Sequence, residues 1–267
     1  MSDGLTNLDA ALAAFADFAA PPEQRPIAAI ADYARLDLDR QARTGRPEVI
    51  YAAGKAPEQV VAIAERLLAA HGRVIVSRVG ESQHAALLAA FDGAEGTTVE
   101  RQAGYPTAVV RRADAPSIPV VGHVGILTAG TADLPVADEA RAMVEAMGCR
   151  VSLVADVGVA GLARLFAPLR ALLDDSEGAG VGALIVAAGM DGALPSVVAG
   201  LSPVPVIGLP TSTGYGAGGN GMAALLAMLQ TCAPGLTVVN IDNGIGAGAA
   251  AALIARGAAG RGGLVGR

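Results

Sequence analysis

Five short segments gather most of the Asp, Thr, Ser and Asn residues in the second half of the chain. They are LTAGTADLP (127–135), ADVGVAG (155–161), AAGMDGALP (187–195), LPTSTGYGAGGNG (209–221) and NIDNGIGAG (240–248). Carboxylates and hydroxyls in such segments can take up protons or hold a ribose. Their glycines let backbone N–H groups come close to a phosphate. Gly130, Thr131 and Asp133 precede a helical stretch, and the glycines at 214, 216, 218, 219 and 221 open another. One segment alone would be an ordinary turn with an N-cap. Five together point to a small-molecule site.

Several chemistries find no support. No lysine follows a glycine loop in the Walker pattern, and neither half has GxGxxG after its first strand. There is no GxSxG elbow. His71, His84 and His123 lie apart and outside the five segments, so neither a zinc site nor a Ser-His-Asp triad is expected. His123 falls inside a strand and reads as a core residue. The two cysteines, Cys149 and Cys232, cannot build a disulfide framework. Cys149 reads as a small buried hydrophobe. Cys232 ends a helical stretch, where the partial negative charge disfavours a thiolate, and read alone it too is structural.

The elements that would carry these segments alternate in period. Residues 25–45 place Ile27, Ile30, Ala34 and Leu38 at helical spacing and predict a helix. Strands are expected at 48–51, 74–78, 97–102 and 107–112, with helices at 57–70 and 82–91. ADAPSIP (113–119) reads as a linker. The second half predicts strands at 120–127, 151–154, 183–188, 204–209 and 237–241, and helices at 137–147, 162–173, 193–199, 222–232 and 246–256. Residues 257–267 read as a loose tail. This is an α/β protein. An extension (1–24), with a helix and a joint at Pro21-Pro22, precedes a small α/β domain (25–115). A larger domain (116–267) follows, a doubly wound, mostly parallel three-layer sandwich. Such sheets bind ligands beyond the carboxyl ends of their strands, where the five segments would converge.

Composition narrows the class further. Of 267 residues 52% are apolar and only 16% charged, against roughly 25% in an average soluble protein, which excludes disorder. A net charge of −6 argues against a basic nucleic-acid face. Of the 19 basic residues only Lys55 is a lysine. Residues 192–241 contain no Asp, Glu, Lys, Arg or His. Pro195, Pro203, Pro205, Pro210 and Pro234 interrupt that stretch, so it reads as core and oligomer contact rather than a membrane span. The amino terminus lacks the basic start of a signal peptide, and a cytoplasmic location is expected.

The blocks GILTAGTADLPVADEA, DVGVAGL, AAGMDGALPSVVAGL, PVIGLPTSTGYGA, GMAALLAMLQTCAPG and VVNIDNGIGAG resemble the LarB family. LDLDRQARTGRPEVIYAAGKAPEQ looks like that family's N-terminal signature. The second half is more distantly similar to PurE. The resemblance spans about residues 36–256 and implies a PurE-like sandwich, with a PurE-like octamer as one expected homo-oligomer. It implies a carboxylase/hydrolase of nickel-pincer nucleotide cofactor biosynthesis. Its substrates would be nicotinic acid adenine dinucleotide and CO₂ or bicarbonate, its cofactor Mg²⁺, and its products pyridinium-3,5-biscarboxylic acid mononucleotide and AMP. The family's cysteine falls on Cys232, which would add to the electron-poor pyridinium ring and make C5 nucleophilic.

The resemblance assigns further roles. Gly130, Thr131 and Asp133 would hold phosphate or ribose, with Asp156 in the neighbouring loop. Gly189 and Met190 would line the site. Thr211, Ser212, Gly214, Tyr215 and Gly216 would cradle the nicotinate end. Asp242 and Asn243 would close the rim beside Cys232, and Lys55 and Arg46 would reach the diphosphate or adenylate. Asp191 would be catalytic beside Cys232, assisting proton transfer or metal binding, and Mg²⁺ would ride mainly on substrate phosphates. Two departures stand out. The family's Met-Glu-Gly block reads Met190-Asp191-Gly192, one methylene shorter, and residues 218–220 lack the family's Phe. A PurE-type mutase is the alternative, but the 187–195 loop has no histidine. A non-catalytic dinucleotide-binding scaffold is the other.

Overall fold

The computed structural model describes residues 27–94, 96–174, 176 and 180–261. The readings for residues 1–24 lie outside them. The expected helix over 25–45 is instead a hairpin, β1 (Ile27–Ile30) and β2 (Ala34–Asp37), followed by one helical turn, α1 (Arg40–Thr44). Antiparallel pairing sets Ala28 opposite Leu36, and these two are buried while Ile27 and Arg35 face out. Ala31 turns the chain at φ +46°. The apolar spacing therefore served alternate sides of a hairpin rather than one helix face.

A four-stranded sheet follows, in the order β3 (Val49–Tyr51), β4 (Arg73–Ser77), β6 (Thr107–Arg112), β5 (Thr97–Glu100). The β3–β4 pair is parallel and the other two antiparallel. Helices α2 (Pro57–His71) and α3 (Glu81–Phe91) cover one face. Along β4 the alternation is plain. Val74 and Val76 join Val60, Leu67 and Leu87 in one core, while Ile75 points the other way into the core of the second unit. Burying an isoleucine so completely stabilises by roughly 1.5–3 kcal/mol, which helps hold the two units together.

The second unit is a five-stranded parallel sheet. Its order is β11 (Leu236–Val238), β10 (Val206–Pro210), β9 (Ala183–Ala188), β7 (His123–Thr128), β8 (Arg150–Val154). All six residues of central β9 are buried, as its unbroken apolar run requires. Helices α4 (Leu134–Ala146) and α8 (Gly244–Arg261) pack alanine-rich faces on one side. Helices α5 (Ala163–Leu173), α6 (Ala193–Leu201) and α7 (Met222–Leu229) cover the other. The result is the expected three-layer α/β/α sandwich of PurE-like type. Two ends differ from expectation. Helix α7 stops at Leu229, so Cys232 lies beyond it in a loop. Helix α8 continues to Arg261 and takes in part of the stretch that reads as a tail. Because every crossover is parallel, all five strands discharge their chains at the same rim.

Candidate functional site

Two buried side chains anchor the rim. Thr211, just past β10, is 0% exposed and Asp133, in the turn between β7 and α4, is 3% exposed. The Thr211 hydroxyl donates to Asp133 Oδ1 at 2.6 Å, and the Gly130 N–H donates to Oδ2 at 2.9 Å. Burial pushes the Asp133 carboxyl above the usual carboxylate range, and the Thr211 and Gly130 donors only partly offset it. Thr128 donates to the Gly130 carbonyl at 2.8 Å and Thr213 to the Ala132 carbonyl at 3.2 Å. The β7 and β10 loops are thus stitched together across the end of β9. Asp133 and the Gly130 N–H are spent on this framework, whereas Thr131 is exposed and its hydroxyl has no hydrogen-bond partner among the described residues.

The β9 end passes under that stitch. A Cβ on Gly189 would lie 2.0 Å from the Thr213 carbonyl oxygen and 2.7 Å from Thr211 Oγ1, so only glycine fits. Beyond it Met190 is half exposed. Asp191 is exposed, and its Oδ1 accepts the Ala193 N–H at 3.2 Å in the turn that leads into α6. Asp242 follows β11 with φ +55°, accepts the Ser212 N–H at 2.7 Å through Oδ1, and donates its own N–H to Pro210 at 2.8 Å. Asn243 Oδ1 accepts the Gly246 N–H at 2.8 Å at the start of α8. Asp156, at φ +60°, pairs with Arg164. Gly214, Tyr215 and Gly216 form an exposed lip.

Three residues that sequence reasoning missed join this rim to the N-terminal unit. Arg78, at the end of β4, donates to the Asp242 carbonyl oxygen. Buried Glu139, on α4, accepts the Ser77 hydroxyl, and Arg78 Nε lies 3.8 Å from the same carboxylate. A carboxylate within the otherwise apolar face of the 134–146 helix was the available signal. Its partners lie some 60 residues away and carry none. Arg46 lines the cleft between the units, but Lys55 does not, since its ammonium donates to the Tyr51 carbonyl at 2.6 Å.

Cys232 is where the topology departs from expectation. It sits in the exposed loop between α7 and β11. Since β11 runs parallel to β10, that loop enters at the amino ends of the strands, while Asp242 and Asn243 leave at the carboxyl ends. Five residues of β10 separate the two rims, about 16 Å at strand rise. Within one chain, then, Asp242 and Asn243 do not stand beside Cys232. Cys149 is buried, with Sγ 3.1 Å from the Val121 carbonyl, and burial pushes its thiol up. His123 sits at the amino end of β7, its Nε2 2.9 Å from Ser152 Oγ, away from the rim.

Among the described residues no group of three or more His, Cys, Asp or Glu could hold a metal ion, and no helix is long and apolar enough to cross a membrane. A parallel sandwich whose strand ends carry a braced polar rim, faced by a second α/β unit, belongs to the strand-end class of small-molecule sites. Residues 28–103 match the LarB/PurE-like N-terminal domain, and residues 123–260 match AIR carboxylase. The chain is also similar to uncharacterized protein MJ0165 of Methanocaldococcus jannaschii, with 39% identity over 222 residues, 83% of this chain and 84% of that one. The chain belongs to the AIR carboxylase family, in the two-domain arrangement of LarB, and is of carboxylase type.

Proposed function

We propose that the protein carboxylates the pyridinium C5 of nicotinic acid adenine dinucleotide and hydrolyses its phosphoanhydride. The products would be pyridinium-3,5-biscarboxylic acid mononucleotide and AMP. The observation that carries this reading is the LarB arrangement combined with an exposed Cys232, whose sulfur has no hydrogen-bond partner among the described residues. A thiolate adds to the cationic ring, and the ring's electrons become those of a dihydropyridine enamine. Its C5 attacks CO₂ and forms the new C–C bond. The C5 proton then leaves, the C–S bond breaks, and aromaticity returns. Water cleaves the phosphoanhydride. Asp191 is the proton acceptor of this scheme, because only one of its oxygens is engaged by the Ala193 N–H. Ser212 and the lip over 214–216 hold the nicotinate end, braced from beneath by buried Thr211 and Asp133. Mg²⁺, when bound on the diphosphate, would supply charge neutralisation for its cleavage.

Since Cys232 lies at the opposite end of the sheet from this rim, it reaches the ring from a neighbouring copy. The surface supports such docking. Met222, Leu226 and Leu229 form one uncovered stripe on α7, each 49–59% exposed, and Cys232 follows three residues later. Exposed apolar stripes of this kind mark contacts between chains. The test is incubation with nicotinic acid adenine dinucleotide, bicarbonate and Mg²⁺, read by mass spectrometry. AMP and the doubly carboxylated mononucleotide are expected. Absence of both, or full turnover by Cys232→Ala, would contradict the reading.

A further inference from the structure

Strand β4 breaks its own alternation where it ends. Val74 and Val76 face the core of the N-terminal unit, and Ile75 faces the second unit. Ser77 also turns to the second unit, where its hydroxyl donates to buried Glu139. Continued alternation would put Val79 on that same side and Arg78 on the core side. Instead Arg78 takes the left-handed conformation at φ +57°. Val79 then drops into the N-terminal core, and its N–H donates to the Pro106 carbonyl at 2.8 Å. The same kink carries the Arg78 side chain toward the rim. Glycine would make this turn without strain. An arginine at this position is explained by what its guanidinium reaches.

It reaches one short segment of the second unit, which Glu139 holds from the other end. Arg78 Nη2 donates to the Asp242 carbonyl oxygen, and its Nε lies 3.8 Å from Glu139 Oε1. Two residues beyond Asp242, a Cβ on Gly244 would lie 2.8 Å from Glu139 Oε2 and 2.5 Å from the Val136 carbonyl oxygen. The first turn of α8 therefore sits directly on this carboxylate, and the positive end of a helix dipole favours its charge. Asp242, between the two clamps, is itself left-handed at φ +55°. Its N–H donates to the Pro210 carbonyl at 2.8 Å, and its Oδ1 accepts the Ser212 N–H at 2.7 Å. Ser212 is exposed on the rim. A continuous run of contacts thus leads from Ser77 and Glu139 through Arg78 and Asp242 to Ser212, from the end of one sheet to the end of the other. Strained non-glycine backbone persists where surrounding contacts enforce it, and here two such residues enforce each other across the two units.

We infer that Arg78 is a positioning residue. It acts through Asp242 to fix the Ser212 backbone, so that the rim takes its working shape only with the N-terminal unit docked against it. The consequence for the dinucleotide rests on the function proposed above, whereas the positioning itself does not. The experiment compares the wild type, Arg78→Gly and Arg78→Lys as full chains. Glycine keeps the left-handed turn and removes the guanidinium, so this variant should fold, while lysine returns one cationic donor. Hydrogen exchange read by mass spectrometry is the first measurement. Arg78→Gly should exchange about tenfold or more faster in peptides covering 211–213 and 240–244, with α2 unchanged, and Arg78→Lys should recover most of the protection. Equal exchange in the wild type and Arg78→Gly overturns the inference. So does an acceleration spread evenly over α2 and the rim, which would make Arg78 a general stabiliser. Steady-state kinetics is the second measurement. KM for the dinucleotide should rise about tenfold in Arg78→Gly and fall back in Arg78→Lys, whereas a mere loss of folded enzyme would lower kcat and leave KM alone. Selective loosening with an unchanged KM in an active enzyme removes the positioning role and leaves the reaction standing. Selective loosening in a protein that turns over no dinucleotide keeps the link from Arg78 to Ser212 and removes the reaction.

Discussion

Replacing Thr211 by valine removes one hydroxyl and almost no volume. In the native protein that hydroxyl donates to Asp133 Oδ1 at 2.6 Å, with both residues shut away from water. Hydrogen bonds to a charged group contribute about 1.5–3 kcal/mol, and here no solvent can replace the donor. For a chain of this size that amounts to roughly 3–12 °C in Tm, at about 2–4 °C per kcal/mol. The cost should depend on pH. Burial already raises the Asp133 pKa, and losing a donor to its charged form raises it further. The variant should therefore suffer more at pH 8 than near pH 4.5, because the lost donor served the charged form of the carboxyl. The loops at 131–133 and 211–213 lose a tie, so KM for the dinucleotide should rise as well. Urea unfolding of both proteins at the two pH values is the assay. A stability loss below about 0.5 kcal/mol, or an equal loss at both pH values, would refute the view that this pair braces the rim.

Other outcomes follow from the same geometry. With Asp133 raised by burial, the native state holds its proton more tightly than the unfolded state. Its contribution to stability is then greatest below the unfolded value of about 4 and falls as pH rises through the native value. Asp133→Asn should flatten that fall, and parallel pH–stability curves would contradict the assignment. Gly189→Ala drives a methyl to 2.0 Å from the Thr213 carbonyl oxygen, so about 1–3 kcal/mol of stability and most of the turnover should be lost; unchanged melting would contradict the packing. Maleimide should label the native chain once, at Cys232, with Cys149 reacting only in denaturant and the dinucleotide protecting Cys232. Labelling of Cys149 in the native protein would contradict its burial.

Much of this architecture can be read from local pattern. The run ALIVAA at 183–188 admits only a strand buried on both faces, and it is one. The βα alternation after residue 120 forces the polar segments to a common rim, which is where Thr211, Asp133 and Asp242 meet. The failures have physical causes. In 27–37, residues at helical spacing serve two strands of a hairpin, because the turn at Ala31–Tyr33 carries no Gly or Pro to announce itself. The Ser77–Glu139 contact and the reach of Arg78 to Asp242 join residues 62 and 164 positions apart, which no local window contains. Cys232 was expected at the rim although the alternation itself sends the end of every helix to the opposite edge.

The account depends most on a rim and a thiol that meet only when two copies do. Cys232→Ala and Thr211→Val combined with Asp133→Ala each disable one partner of the shared site. Co-assembled in equal amounts, subunits of the two kinds should recover about one quarter of wild-type product formation. Each site then draws an intact rim and an intact thiol with a chance of one half apiece. Recovery near that fraction is the predicted result. A mixture no more active than its two parents would contradict the shared site.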